Sequence, residues 1–323
     1  MCYRERTIGV VVPAFNEELL IGDTLRSIPD YVDKVYVIDD CSMDKTAEIV
    51  RDFEKKDPRI NCICHEVNKG VGAAIITGYK RALQDGIDIA AVMAGDNQMD
   101  PKHLPSLLDP IVDGKADYTK GNRLLNAEYR SGMSAWRSFG NVILTFLTKM
   151  ASGYWQLMDP QNGYTAISLK ALERINPDTI YPWYGYCNDL LVKLNVFGFK
   201  VNDVVMPARY GSEKSKIRYG GYIFKVSWLL LKNFLWRLKM KYIWFSFHPL
   251  VLFYFFGIIL TPIGIFGALF SLYQKFILNQ SLFVRGVLSL LIFVIGMQFL
   301  FFAMFFDMQA DNKSSGESVV YYS

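Results

Sequence analysis

Between residues 7 and 205 short apolar runs alternate with amphipathic stretches, and beyond residue 249 long apolar runs take over. Thr7–Val12 is β-branched and apolar, which predicts a buried strand ending at Pro13. Leu19, Leu20, Ile21, Leu25 and Ile28 then form a helical stripe, predicting a helix to about Ile28. Lys34–Ile38 reads as a second strand and Lys45–Lys55 as a helix, followed by a strand over Ile60–His65. A helix opening at Asn68–Gly72 runs through Leu83, and the apolar run Ile89–Ala94 predicts a fourth strand bounded by Gly95. Further strands are expected at 116–121 and 200–205, with a helix to about Ala151 between them. This order predicts an α/β domain with a doubly wound, mostly parallel sheet.

The fourth strand runs straight into Gly95-Asp96-Asn-Gln98-Met-Asp100-Pro101. Asp96 and Gln98 alternate by two, so in extended backbone their oxygens point the same way. Pro101 biases Asp100 toward extended geometry and suits the first position of a helix. Open α/β sheets bind their ligands at such a place, outside the carboxyl ends of the strands. Hard oxygen donors, few of them from protein, suit Mg²⁺ or Mn²⁺ shared with phosphates. The same residues equally fit an Asp-rich turn with Asp100 as a helix cap.

The last third has a different character. Residues 209–241 carry nine Lys or Arg against one acid, Glu213. Lys225, Lys232 and Lys239 recur every seven residues among Tyr222, Phe224, Trp228, Phe234 and Trp236. That pattern predicts a basic amphipathic helix lying in a membrane interface. Leu250–Leu272 and Gly286–Phe306 are free of charge and long enough to span a bilayer. Pro262, Gly257, Gly264 and Gly267 would kink the first span or let helices approach closely. A short loop holding Lys275 and Arg285 would join the spans, and a polar, disordered tail, 307–323, would follow. The basic excess before the first span predicts that the α/β domain and the C-terminus are both cytoplasmic. Two spans per chain also suggest a homo-oligomer that packs them together.

Composition changes this picture little. A formal charge of +4 over 323 residues is too small to argue for nucleic acid as a partner. The five cysteines show no CxxC pair, so reduced thiols in a cytosolic domain are expected. The N-terminus lacks the pattern of a signal peptide. No GxGxxG follows the first strand, which argues against a dinucleotide-binding unit.

Four stretches in order carry a resemblance. They are Pro13-Ala-Phe15-Asn-Glu17, Val37-Ile38-Asp39-Asp40-Cys-Ser42-Met-Asp44-Lys-Thr46, Asn68-Lys-Gly-Val-Gly72 and Gly95-Asp96-Asn-Gln98. Over residues 7–247 the chain resembles family-two glycosyltransferases of the GT-A fold, and among them polyprenyl-phosphate glycosyltransferases of the dolichyl-phosphate mannose synthase type. The resemblance implies a nucleotide site formed by Pro13, Phe15, Glu17, Ile38, Asp40, Gly95 and Asp96, with Asp96 and Gln98 as metal ligands. Ala94 stands where the family's Asp-x-Asp motif has its first Asp, which leaves one ligand to water. Asp159-Pro-Gln-Asn-Gly163 matches the family's segment beneath the sugar, and Arg209–Lys216 its basic loop. Arg123, Arg137, Arg209 and Lys216 would contact phosphate, a task for which guanidinium geometry is suited. One of Asp39 and Asp44 is expected to cap the helix after Ser42.

The activity implied is transfer of one hexose from GDP-mannose or a UDP-hexose to a polyprenyl (dolichyl or undecaprenyl) phosphate. A lipid monophosphate is already ionised near neutral pH, so it attacks the anomeric carbon without a general base, inverting the centre. The organisation expected is a catalytic domain over 1–219, interfacial helices over 220–248, a transmembrane hairpin over 249–306 and a polar tail. A polymerising polysaccharide synthase would carry Gln-x-x-Arg-Trp and more spans. A catalytically silent scaffold that binds nucleotide sugar or lipid finds its only support in Ala94.

Overall fold

A computed structural model describes residues 3–123, 135–207, 219–245, 248–279, 281 and 283–314. Its sheet has seven strands: β1 (Ile8–Ala14), β2 (Lys34–Asp39), β3 (Ile60–Cys64), β4 (Ile89–Val92), β5 (Tyr118–Asn122), β6 (Thr165–Ser168) and β7 (Val201–Val205). They lie in the order β3-β2-β1-β4-β6-β5-β7. β6 alone runs against its neighbours, β4 and β5, so the sheet is mostly parallel, as the alternation of strands and helices requires.

The period-two alternation along β1 separates two cores. Val10 and Val12 face α1 (Ile21–Ser27), α2 (Thr46–Glu54) and α4 (Leu104–Val112), through Leu25, Val50 and Leu107. Val11 faces α3 (Val71–Gln84), α6 (Leu169–Ile175) and α7 (Tyr186–Val196), through Ile75, Leu172 and Leu190. Burying each such side chain stabilises the domain by about 1.5–3 kcal/mol. Gly78 brings α3 directly onto β1, because a Cβ there would run into the Val11 side chain.

Several element ends differ from those expected. The first helix begins only at Ile21, because Leu20 and Ile21 both donate to the Glu17 carbonyl in a turn. The strand before the acidic loop stops at Val92. That loop is not extended: Asn97 sits at φ 56°, and the Gln98 amide folds back 3.0 Å onto Asp96 Oδ1. The alternation of Asp96 and Gln98 therefore does not by itself bring their side chains together. Asp100 is extended before Pro101 and caps the following turn through the Lys102 amide, 2.9 Å away.

The chain forms two compact units, Met1–Phe234 and Leu235–Gly316, divided within α8 (Tyr219–Lys239). On α8, Phe224, Lys225, Trp228, Leu231, Lys232 and Lys239 are exposed, whereas Val226, Leu230 and Phe234 are buried. After a π-helical turn, Met240–Phe245, come α9 (Leu250–Leu278) and α10 (Phe283–Ser314). Both are long and apolar enough to cross a membrane. They pack on each other through small residues: a Cβ on Gly264 would lie 2.5 Å from the Phe293 backbone, and one on Gly296 2.6 Å from Thr261 N. Phe266, Phe276, Val284 and Phe301 point outward, an apolar surface suited to lipid. The helices outrun the charge-free stretches, so Lys275 and Arg285 lie on α9 and α10 rather than in a loop. Nor is Asp307 the start of an unstructured tail, since α10 continues to Ser314.

Candidate active site

The parallel strands bring four chain segments to one edge of the sheet: Pro13–Glu17 after β1, Asp39–Asp44 after β2, Gly95–Gln98 after β4 and Arg123 after β5. β6 runs the other way, so the segment that leads into it, Asp159–Gly163, lies at the same edge.

The first two loops are laced together. Asn16 N–H donates to Ser42 Oγ at 2.9 Å, Met43 N–H to Asn16 Oδ1 at 2.8 Å, and Glu17 N–H to Thr46 Oγ1 at 2.8 Å. The N-cap of α2 is Lys45, with no side-chain cap; Asp44, one residue earlier, accepts from Thr46 N–H at 3.0 Å and from Glu18 N–H at 3.1 Å. Phe15 is exposed and Glu17 half-buried, while Pro13 is covered. Ile38 is 0% exposed, inside the core beside Val11, and presents a ligand no side-chain surface.

Asp40 is buried and heavily engaged. Its Oδ1 accepts from Lys69 N–H at 2.9 Å and its Oδ2 from Gly70 N–H at 2.7 Å. His65 Nδ1 lies 2.7 Å from the same Oδ1, with Nε2 2.9 Å from Thr77 Oγ1. Gly70 takes φ 93°, and the backbone of Tyr181 and Pro182 packs against Gly72 closely enough to exclude any Cβ. Asp40 thus acts as a bracket for the turn into α3. Its neighbour Asp39, equally buried, accepts from Ser42 N–H at 3.3 Å on Oδ2, and its Oδ1 has no hydrogen-bond partner among the described residues.

Past β5, Arg123 and Asp159 form an ion pair, with Nε 2.8 Å from Oδ2 and the Arg123 amide 3.2 Å from the same oxygen. The carboxylate is 4% exposed and the guanidinium 39%, so Asp159 fixes an arginine that reaches the solvent side of the edge. Burial would raise Asp159, but Arg123 and then Lys120 outweigh it and hold the carboxyl below its usual range. Lys120 is itself fully buried and donates to Asn162 O at 2.5 Å. Burial pulls its ammonium down against the opposing influence of Cys187, Asp159 and Asp203. Asp203 Oδ2 accepts from Asn122 Nδ2 and from Met158 N–H, both at 2.8 Å. Arg137 lies on α5 (Ala135–Ser152) with its side chain outside the described residues, as are Arg209 and Lys216 altogether.

The glycosyl transferase family 2 model matches residues 9–175, just over half of the chain and all of the loops above except Arg209–Lys216. The chain belongs to glycosyl transferase family 2. It is a glycosyltransferase with a GT-A-like fold. Among curated proteins of the family it is 30% identical over 210 residues to a UDP-N-acetylglucosamine–dolichyl-phosphate N-acetylglucosaminyltransferase of Methanococcus voltae, covering 59% of this chain and 83% of that one. It is 34% identical over 237 residues to a dolichyl-phosphate beta-glucosyltransferase of Trichomonas vaginalis, covering 67% and 69%. With an undecaprenyl-phosphate mannosyltransferase of Micrococcus luteus the identity is 26% over 203 residues, covering 60% and 80%. Among solved structures, glucosyl-3-phosphoglycerate synthase of Mycobacterium tuberculosis, with Mn²⁺, UDP and phosphoglyceric acid, aligns with TM-score 0.55 at 21% identity, covering 71% of this chain and 78% of that one. That likeness is one of fold.

Sequence reasoning passed over Lys120, His65 and the orphaned oxygen of Asp39. A lysine in the middle of an expected strand was a visible signal. The roles of His65 and Asp39 depend on contacts that no local pattern encodes.

Proposed function

We propose that this glycosyltransferase moves one hexose from a nucleotide-diphosphate sugar to polyprenyl phosphate at the membrane surface, with inversion. The observation that carries the reading is the Arg123–Asp159 pair, which presents an oriented guanidinium at the sheet edge that also holds Asp96. The relatives that act on dolichyl or undecaprenyl phosphate, and the two long apolar helices of this chain, support the acceptor. The nucleotide lies against Phe15, Glu17 and Asp96, the members of the expected set with surface to offer. Asp40 contributes by holding the turn at Lys69 and Gly70.

Asp96 and Gln98 suit Mg²⁺ or Mn²⁺. Among the described residues no three His, Cys, Asp or Glu gather into a metal cage. One carboxylate and one amide oxygen in a half-buried loop match a hard ion that keeps waters and takes diphosphate oxygens. When bound, the ion neutralises charge on the leaving diphosphate. Arg123, joined by Arg137, Arg209 and Lys216, holds the phosphates and lines up the attacking oxygen. No carboxylate is needed as a base, because the lipid phosphate is already ionised.

The catalytic unit and the C-terminus lie on the cytoplasmic side, set by the basic excess before α9. The glycines of the hairpin are already occupied by α9–α10 packing, so a homo-oligomer uses another face of these helices. The test is purified full chain with Mg²⁺, a panel of nucleotide sugars and polyprenyl phosphate, read by chromatography of the lipid product. One donor should give polyprenyl-phosphate hexose. Transfer to other acceptors with none to the lipid phosphate would sink the reading.

A further inference from the structure

The edge strand β3 carries two cysteines that the proposed reaction does not use. Cys62 and Cys64 stand two residues apart on one face of the strand, and their sulfurs lie 3.9 Å from each other. Cys64 is exposed, and Arg51 of α2 donates to its sulfur at 3.6 Å. Cys62 is half-buried, and its backbone N–H donates to Glu54 of α2 at 3.0 Å. Burial first, and then the neighbouring Cys64, push the Cys62 thiol up to about 12.

We propose that Cys62 and Cys64 form a dithiol modification site, oxidised by low-molecular-weight disulfides to an intrachain disulfide that opens the His65–Asp40 corner. Exposed Cys64 attacks one sulfur of the small disulfide as its thiolate, its proton passing to water. One small thiolate leaves and takes up a proton, and a mixed disulfide forms on Cys64. Cys62 then attacks the Cys64 sulfur, and the second small thiol leaves with the Cys62 proton. In sum, two protein thiols are oxidised to one disulfide and one small disulfide is reduced to two thiols.

The consequence follows from strand geometry. Residues two apart in a strand have Cα atoms about 6.6 Å apart, at the long end of the about 4.4–6.8 Å that disulfides span, and their Cβ bonds stand side by side on one face, whereas the bond requires Cβ atoms about 3.5–4.5 Å apart. Closing the bond therefore shortens and bends β3 at its carboxyl end. Cys64 pairs with Asp39 in the sheet, and the next residue, His65, donates its backbone N–H to Asp39 O at 2.9 Å. Bending there draws His65 Nδ1 away from Asp40, and Asp40 is what holds the Lys69 and Gly70 amides. The effect on ligand binding rests on the placing of the nucleotide at this corner.

The experiment treats full-length protein in detergent with oxidised glutathione and maps its tryptic peptides. Cleavage after Arg59 and Lys69 leaves both cysteines in one peptide, 60–69. The expected product is that peptide lighter by two hydrogens and inert to iodoacetamide until reduced. Hydrogen exchange at the Lys69 and Gly70 amides should rise, and affinity for UDP or GDP should fall about tenfold, as losing one buried charge-assisted bond implies. Reductant should restore both, and the Cys62→Ser and Cys64→Ser proteins should keep both through the same treatment. Two free thiols, or two separate glutathione adducts, would overturn the proposal, as would a disulfide that leaves exchange at Lys69 and Gly70 unchanged. If reduced protein binds neither nucleotide, the nucleotide reading fails while the peptide map and exchange still decide this one.

Discussion

At the residue scale, Asp96 is the carboxylate of the proposed metal position, and Ala94 stands two residues before it. Asp96→Ala should lower transfer by a factor of about 10² or more, read as initial rate at saturating Mg²⁺. Ala94→Asp should lower the Mg²⁺ concentration for half-maximal rate without changing the product, since it restores a hard ligand. An unchanged metal dependence would mean that residue 94 does not face the ion. Asp203 offers a pH signature: burial pushes its carboxyl from an ordinary 3.8 up to about 6, with Asp159 adding to the effect and Met158 N–H, Lys120 and Asn122 opposing it. The folded pKa is above the unfolded one, so folding holds this proton more tightly. Its contribution to stability is complete below pH about 4 and is lost as the pH rises through about 6. Asp203→Asn should therefore be more stable than wild type by about 1–3 kcal/mol at pH 7.5, read by thermal unfolding, and the difference should vanish by pH 4. The acids at the sheet edge were legible because loops after parallel strands are where ligands bind. The job of each acid was not, since Asp39 and Asp40 are neighbours in sequence and only the fold assigns one to the turn at Gly70.

At the scale of elements, strand cores were easier to read than their ends. Buried apolar runs such as Val10–Val12 are driven by burial, whereas helix starts hang on single hydrogen bonds like those to the Glu17 carbonyl. Asn97 defeated the extended reading of the acidic loop because asparagine tolerates the left-handed region and lets the chain turn within one residue. The clearest element-level test concerns α8. Lys225, Lys232 and Lys239 share its exposed face with Phe224 and Trp228, an arrangement for anionic headgroups. Replacing the three lysines by Gln should weaken activity in vesicles rich in anionic lipid, by about 1 kcal/mol of membrane affinity per charge, and change little in neutral ones. Arg209→Ala should instead impair transfer in both kinds of vesicle while leaving the protein membrane-bound. Equal activity of the Arg209 variant would remove that residue from the phosphate site.

At the scale of the whole molecule, charge-free length predicted two long apolar helices, and helical continuity carried them past their charged ends. The reason lies partly in one buried cluster. Arg237 near the end of α8 pairs with Asp307 of α10 through two bonds, 2.9 and 2.8 Å, and Tyr242 OH donates to Asp307 at 2.7 Å. The two charged side chains are 0% and 1% exposed. Arg237→Ala should cost about 3–5 kcal/mol in thermal unfolding of the solubilised protein, because Asp307 stays buried. The double change Arg237→Met with Asp307→Leu should recover most of that loss; if it does not, the pair matters beyond charge compensation. The pair also sets a clock on biogenesis. Asp307 is made 70 residues after Arg237, a delay of roughly 4–14 s at cellular translation rates of about 5–20 residues per second. Throughout that interval the arginine must stay in water or at the headgroups. It can bury as an ion pair only once Asp307 has been made, so a chain that stops short of α10 keeps an uncompensated charge.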